Sequence, residues 1–215
     1  MITVIYAHKP GQGVTTIAAA LAILTSTLHQ RTLLVDTGTD LPAVLGLPTP
    51  HRPGLAEYLT DTAVTLVDIT TPVRTNLDLI TRGDTTPTFT ASTYGLLTGA
   101  LDNYDTVIID TAPDASEWTR HADTRVLVTR PCYLALRHAT GQRRPDHLVV
   151  ITEPGRALNT ADIEAVTGTP VTATVPYAAE IARTIDAGNI TTRVPHSLSR
   201  ALAPITAAVT AGGTR

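Results

Sequence analysis

The chain has 215 residues, 43% of them hydrophobic, which is enough for one domain (1–215) with a substantial core. A formal net charge of −3 excludes a strong overall field toward nucleic acid or a membrane surface, and the one cysteine, Cys132, excludes an internal disulfide and reads as a small apolar residue. No charged-then-apolar leader precedes the first strand and no apolar run approaches the ~20 residues of a membrane span, so the expectation is a cytoplasmic protein.

In chain order, Ile2-Thr3-Val4-Ile5-Tyr6 is apolar and β-branched and predicts a buried strand, while Ile17 to Leu24, rich in Ala and Leu, predicts a helix. Between them run Gly11, Gln12, Gly13, Val14, Thr15 and Thr16. A strand, a glycine-rich turn and hydroxyls at a helix N-terminus make a phosphate cradle: N–H groups and the positive end of the helix dipole face an anion there. The usual Gly-Lys-Thr of a P-loop reads Gly13-Val14-Thr15, so a valine replaces the phosphate-binding lysine. The loop's other cation, Lys9, is the only lysine in the chain, against fifteen arginines.

Arg31 to Asp36 predicts a second buried strand that ends in a carboxylate. Pro42, Pro48, Pro50 and Pro53 make Leu41 to Leu59 a loop with short helical pieces. Asn76 to Ile80 predicts a strand, Asp84 to Thr88 a polar turn closed by Pro87, and Ser92 to Asp102 a helix. Tyr104 to Pro113 contains a strand that ends at Asp110, which places a carboxylate where a Mg²⁺ ion would stand. Strands then follow at Arg125–Thr129, His147–Thr152 and Val171–Val175, with helices at Leu134–Thr140, after an Asn159 cap, at Ala178–Ala187 and at Ser197–Ala211. Alternating strands and helices predict an α/β fold, a mostly parallel sheet flanked by helices on both faces. In such sheets ligands sit at the carboxyl ends of the strands, where the loop, Asp36 and Asp110 all fall.

These motifs resemble the ParA/MinD family of P-loop ATPases, whose deviant Walker A loop carries a second lysine near its start. Lys9 falls on that signature lysine, and Gly11, Gly13, Thr15 and Thr16 match, while Pro10 and Val14 depart from the pattern. The resemblance continues at Gly54-Leu55-Ala56-Glu57-Tyr58-Leu59, at Asn76 to Ile80 with Gly83, at Asp123, and at the Pro176-Tyr177 exit from the last strand. In the family's Asp-x-Asp motif, Asp36 matches the first acid and Gly38 replaces the second, which is tied to hydrolysis. Asp40 is then either a displaced substitute or a cap for the turn at Leu41-Pro42-Ala43. Thr152-Glu153 stands where the family has an adenine-binding asparagine.

The resemblance implies a P-loop NTPase fold and a cleft for ATP or ADP with Mg²⁺. Residues 11–16 would bind the nucleotide, Thr15, Asp36 and Asp110 the metal, and Lys9, Asp36 and Asp40 would carry the catalytic roles. It further implies a homodimer or homopolymer read by a cognate partition or adaptor protein. Non-specific DNA binding and a nucleoid association would run through Arg183, Arg193 and Arg200. The family's membrane anchor is a basic amphipathic helix; the last helix has only Arg200 as a cation, so its apolar stripe is expected in the core and no membrane contact is expected. Two functional readings follow: a ParA-like scaffold that has lost most or all ATP hydrolysis, and an active partition ATPase that compensates for Val14.

Overall fold

The computed structural model describes residues 1–48, 53–111 and 115–212. Pro50 and the Ala112-Pro113 end of the third motif lie outside the described residues. The expected strands form as β1 (Ile2–Tyr6), β2 (Thr32–Asp36), β4 (Leu77–Ile80), β5 (Thr106–Asp110), β6 (Thr124–Thr129), β7 (His147–Thr152) and β8 (Val171–Pro176). They join β3 (Thr70–Arg74) in an eight-stranded sheet ordered β3-β4-β2-β5-β1-β6-β7-β8. Neighbours pair in parallel except β3, which runs antiparallel to β4.

β3 was not expected from the sequence. It holds Pro72, is half exposed, and carries a register shift between Pro72 and Arg74. Proline lacks the N–H that a central ladder requires, but an edge strand tolerates it.

Strand pleating splits the core into two layers. On one face, Ile5, Leu34, Ile108 and Val149 pack against α1 (Val14–Thr27), α2 (Leu41–Val44), α9 (Ala179–Asp186) and α10 (His196–Ala211). On the other, Val4, Val35, Val107 and Val150 pack against α3 (Leu55–Thr60), α4 (Leu66–Ile69), α5 (Ala91–Ala100), α6 (Ser116–Arg120), α7 (Tyr133–Ala139) and α8 (Thr160–Thr167). The alanines of α1 are fully buried and let it lie close to the sheet. Leu198, Leu202, Ile205 and Val209 of α10 are each 0% exposed, so the expected stripe is core, as the sequence reading held. Among the described residues no helix is long and apolar enough to cross a membrane.

The parallel register is pinned by aspartates that precede strands. Asp105, before β5, accepts the Arg31 N–H at 2.7 Å; Asp123, before β6, accepts that of Ile2 at 2.8 Å; Asp146, before β7, accepts that of Arg125 at 2.9 Å. Each carboxylate satisfies an N–H at the start of the adjoining strand that the ladder leaves over. On the opposite side of the sheet, Gly54 and Gly83 meet so closely that a Cβ on Gly54 would stand 2.3 Å from the Gly83 nitrogen. Glu57 ties the pair by accepting the N–H groups of Gly54 at 2.7 Å and Asp84 at 2.9 Å. Asn159 caps α8 as expected, its side chain accepting the Asp162 N–H at 3.2 Å.

Candidate functional site

β1 delivers the chain into the glycine-rich loop, and α1 begins at Val14 with Gly13 as its N-cap. Gly13 has φ 95°, a left-handed conformation, and an added Cβ would stand 2.6 Å from Ile151 Cδ1. The dihedral therefore requires glycine, while the Ile151 methyl, the tip of a flexible side chain, could turn aside. Gln12 is 4% exposed and turned inward. Its Oε1 accepts the Arg130 N–H at 2.9 Å and its Nε2 donates to the Pro10 carbonyl at 3.5 Å. The Gln12 side chain thus fixes the loop against the end of β6, a structural task that the sequence reading, which grouped it with the nucleotide contacts, did not foresee.

The loop walls a cleft of about 460 Å³ at the carboxyl ends of the strands. Lys9, Gly11, Gln12, Gly13, Val14, Thr15 and Thr16 line it, together with Asp40, Asp110 and Arg130. Asp36 lies just behind this lining, 1% exposed, and is the register partner of Asp110 across β2 and β5. Most of the candidate side chains are thus brought to one place. Arg183, Arg193 and Arg200 are not: they are exposed on α9, on the turn after it and on α10. Cys132 is half buried at the N-cap of α7, away from the cleft lining.

Asp40 occupies the N-cap position of α2, yet its side chain makes no capping bond. Its backbone is already helical (φ −94°, ψ −18°), and its Oδ1 accepts from the Thr39 hydroxyl at 3.3 Å. The capping alternative is therefore corrected: Asp40 is exposed and presents itself to the cleft. Gly38, where the family has its second acid, donates its N–H to Asp36 Oδ1 at 2.8 Å.

Burial governs the electrostatics here. Desolvation pushes the Asp110 carboxyl up to about 8, with the Asp36 and Asp40 charges adding to the rise and a hydrogen bond to the Thr15 hydroxyl opposing it. Asp36 is pushed up to about 6, again mainly by burial, against the lowering pull of the Gly38 and Leu41 N–H groups. Asp36 Oδ2 is buried with no hydrogen-bond partner. Buried, under-compensated oxygens beside a hydroxyl suit a small hard cation, so the residues fit Mg²⁺. Among the described residues no three or more His, Cys, Asp or Glu side chains group together as a metal site. Mg²⁺ commonly completes its shell with waters and substrate phosphates.

Val14 enters the cleft wall as an apolar side chain, half buried and packed against the α1 layer of the core. The described cations of the lining are Lys9 and Arg130. Arg130 is already engaged: its Nη1 lies 2.9 Å from Glu153 Oε1, and its guanidinium sits 5.2 Å from the Tyr177 ring centroid. Glu153 is also paired with Arg156, and the two arginines hold its carboxyl below the usual range. Sequence reasoning missed Arg130, because only the fold brings it to the loop. Next to the cleft, Ile151, Val175, Pro176, Tyr177 and Ile181 line an apolar hollow of about 160 Å³, which shares Gly13, Thr16, Arg130 and Ile185 with it.

Known structures match this chain over nearly its whole length. MinD in the MinC:MinD cell division complex of Aquifex aeolicus matches with a TM-score of 0.79 at 17% identity, covering 98% of this chain and 95% of that one. The ParA family ATPase of Chlorobium tepidum gives a TM-score of 0.78 at 20% identity, covering 96% and 97%. The fold is that of the ParA/MinD ATPases. A third ParA/MinD structure, the septum site-determining protein MinD of Pyrococcus horikoshii complexed with Mg-ADP, gives 0.76 at 17% identity, covering 97% and 95%. No protein-family model and no curated protein sequence matches the chain.

Proposed function

We propose that this chain is a ParA/MinD-like positioning protein that works as a dimeric or polymeric scaffold, binds Mg²⁺-nucleotide weakly and hydrolyses it slowly or not at all. One observation carries the reading: the side chain at the head of α1 is Val14, which offers the phosphates neither charge nor hydrogen bond. Phosphoryl transfer rests on positive charge placed at the oxygens where negative charge develops. Removing a cation that stabilises this transition state costs a factor of roughly 10³–10⁵ in rate. The loop N–H groups, the Thr15 hydroxyl and the α1 N-terminus remain to hold phosphate, and the apolar hollow beside Tyr177 would take the base. Bound Mg²⁺ would neutralise phosphate charge, with Thr15, Asp36 and Asp110 holding it. A cognate adaptor protein would read the assembled state, and exposed Arg183, Arg193 and Arg200 would add non-specific, salt-sensitive DNA contacts that place it on the nucleoid.

A second reading is favoured by Lys9, which lines the cleft and makes no ion pair among the described residues. There it substitutes for the lost lysine, and the protein is an active DNA-partition ATPase. Equilibrium binding of Mg²⁺-ATP and Mg²⁺-ADP, with steady-state turnover measured in the presence of DNA, separates the two. The scaffold reading expects weak binding and turnover at background; turnover at rates ordinary for ParA/MinD ATPases would sink it.

A further inference from the structure

On the other face of the sheet a second hollow, of about 220 Å³, opens between α6 and the end of α7. Its lining includes Tyr6, His8, Arg125, His138, Gln142 and Arg143. Ala7 lines both this hollow and the P-loop cleft, so the two lie on either side of the same stretch of backbone.

Among the described residues the lining is rich in hydrogen-bond donors and carries one cation outside any ion pair, Arg143. Arg125 places Nε 2.8 Å from Asp146 Oδ2 and Nη2 2.6 Å from Oδ1, a bidentate pair in which the two charges neutralise each other. The remaining nitrogen, Nη1, is buried without a hydrogen-bond partner. Arg143 is exposed at the rim and makes no ion pair among the described residues. His8 and His138 face the same space, and the described lining residues bring no carboxylate into it. Burial, and after it the proximity of His138, lowers the pKa of His8, so that ring enters the hollow as a neutral donor.

We propose that this hollow is an anion site, distinct from the P-loop, that takes the phosphoryl group of inorganic phosphate or of a small phosphomonoester. The forked guanidinium N–H groups of Arg143 match tetrahedral oxygens, and the imidazoles of His8 and His138 with the Gln142 amide supply further donors. The hollow has about half the volume of the cleft, 220 against 460 Å³, which suits a phosphoryl group better than a nucleotide. The proposal uses no residue whose role rests on ATP chemistry, so it stands whether or not the cleft binds nucleotide.

The test is a titration of the full chain with inorganic phosphate at constant ionic strength, with sodium chloride as the balancing salt. The His138 ring signal in NMR reports this hollow, and the Gly13 amide reports the cradle. The expected result is saturation of the His138 shift with a Kd near or below about 1 mM, raised about fivefold by Arg143→Gln. A parallel titration with glycerol phosphate separates the sources: tighter saturation than by inorganic phosphate assigns a monoester, and equal or weaker saturation assigns the free ion. His138→Gln, read at the His8 ring, is the second variant and is expected to weaken binding in the same direction. A non-saturating His138 shift that chloride reproduces, a response confined to Gly13, or Kd values unchanged in both variants would overturn the site.

Discussion

Asp36 and Asp110 stand opposite each other at the carboxyl ends of β2 and β5, exposed by only 1% and 3%. The burden falls on Asp110: the Asp36 charge is the second cause, after burial, of its elevated pKa. The fold thus holds two carboxylates ready for a cation at the expense of its own stability.

The pH dependence of the nucleotide-free protein should show this. Both carboxyls have folded-state pKa values above their ordinary 3.8, about 6 for Asp36 and about 8 for Asp110. A raised carboxyl favours the protonated folded state, so the stability is fully present below the unfolded pKa and is lost as pH rises through the folded values. Asp110→Asn should match wild type below about pH 4 and gain on it by on the order of 1 kcal/mol per pH unit up to about pH 8, above which the gap stays constant. Thermal melts across that window check it, and wild-type stability at the alkaline end should rise on adding Mg²⁺ while the variant responds less.

Gly13→Ala should destabilise the protein by ~1–3 kcal/mol, chiefly from its positive φ and in smaller part because the new Cβ would stand 2.6 Å from Ile151 Cδ1. The two causes separate in a double variant. Ile151→Val removes the Cδ1 atom, so Gly13→Ala should cost less in the Ile151→Val background than in wild type, with the φ strain left. Urea melts of the three variants measure it; an equal cost in both backgrounds would mean that sterics contribute nothing.

Much of this arrangement is legible in the sequence. Runs such as Leu33-Leu34-Val35-Asp36 and Val107-Ile108-Ile109-Asp110 read as strands because both faces are buried, and each ends in the carboxylate that reaches the cleft. β3 escaped because Pro72 and its half-exposed threonines carry neither an apolar run nor a clean alternation. α6, five residues long, is too short to show a helical period. At the site, the loop, Asp36 and Asp110 could be placed by spacing. The inward turn of Gln12 could not, since its partner Arg130 lies 118 residues away and the bond exists only once β1 and β6 are paired.

Gln12→Ala should cost ~1–3 kcal/mol, because it leaves the Arg130 N–H without its acceptor at the base of the loop. Phosphate or nucleotide affinity should fall with it, as the loop loses its tie to β6. Calorimetry of the variant, with and without ligand, reads both effects. A variant with wild-type stability would show that water replaces the amide at no cost.

Lys9→Ala tests the assembly. If the ammonium meets a partner subunit, truncation should weaken self-association by ~2–5 kcal/mol, while the monomer's melting should move within about 0.5 kcal/mol, as for a solvated loop lysine. Sedimentation of wild type and variant, with and without Mg²⁺-ATP, measures the difference. A wild type that remains monomeric in every condition would remove Lys9 from the interface.

Val14 leaves without its charge a phosphate cradle whose glycines, Thr15 hydroxyl and helix N-terminus are in place. The direct measurement compares Mg²⁺-ATP affinity and turnover of wild type with Val14→Lys, side by side in one buffer. Val14 is half buried at the first turn of α1 and on the cleft wall, so a lysine there reaches the phosphates along the same wall. The account predicts a gain in affinity of at least about tenfold, the order of one charge-assisted contact, with wild-type turnover at background. Equal affinities in two folded proteins, or a wild type that already turns over ATP as fast as the variant, would contradict it.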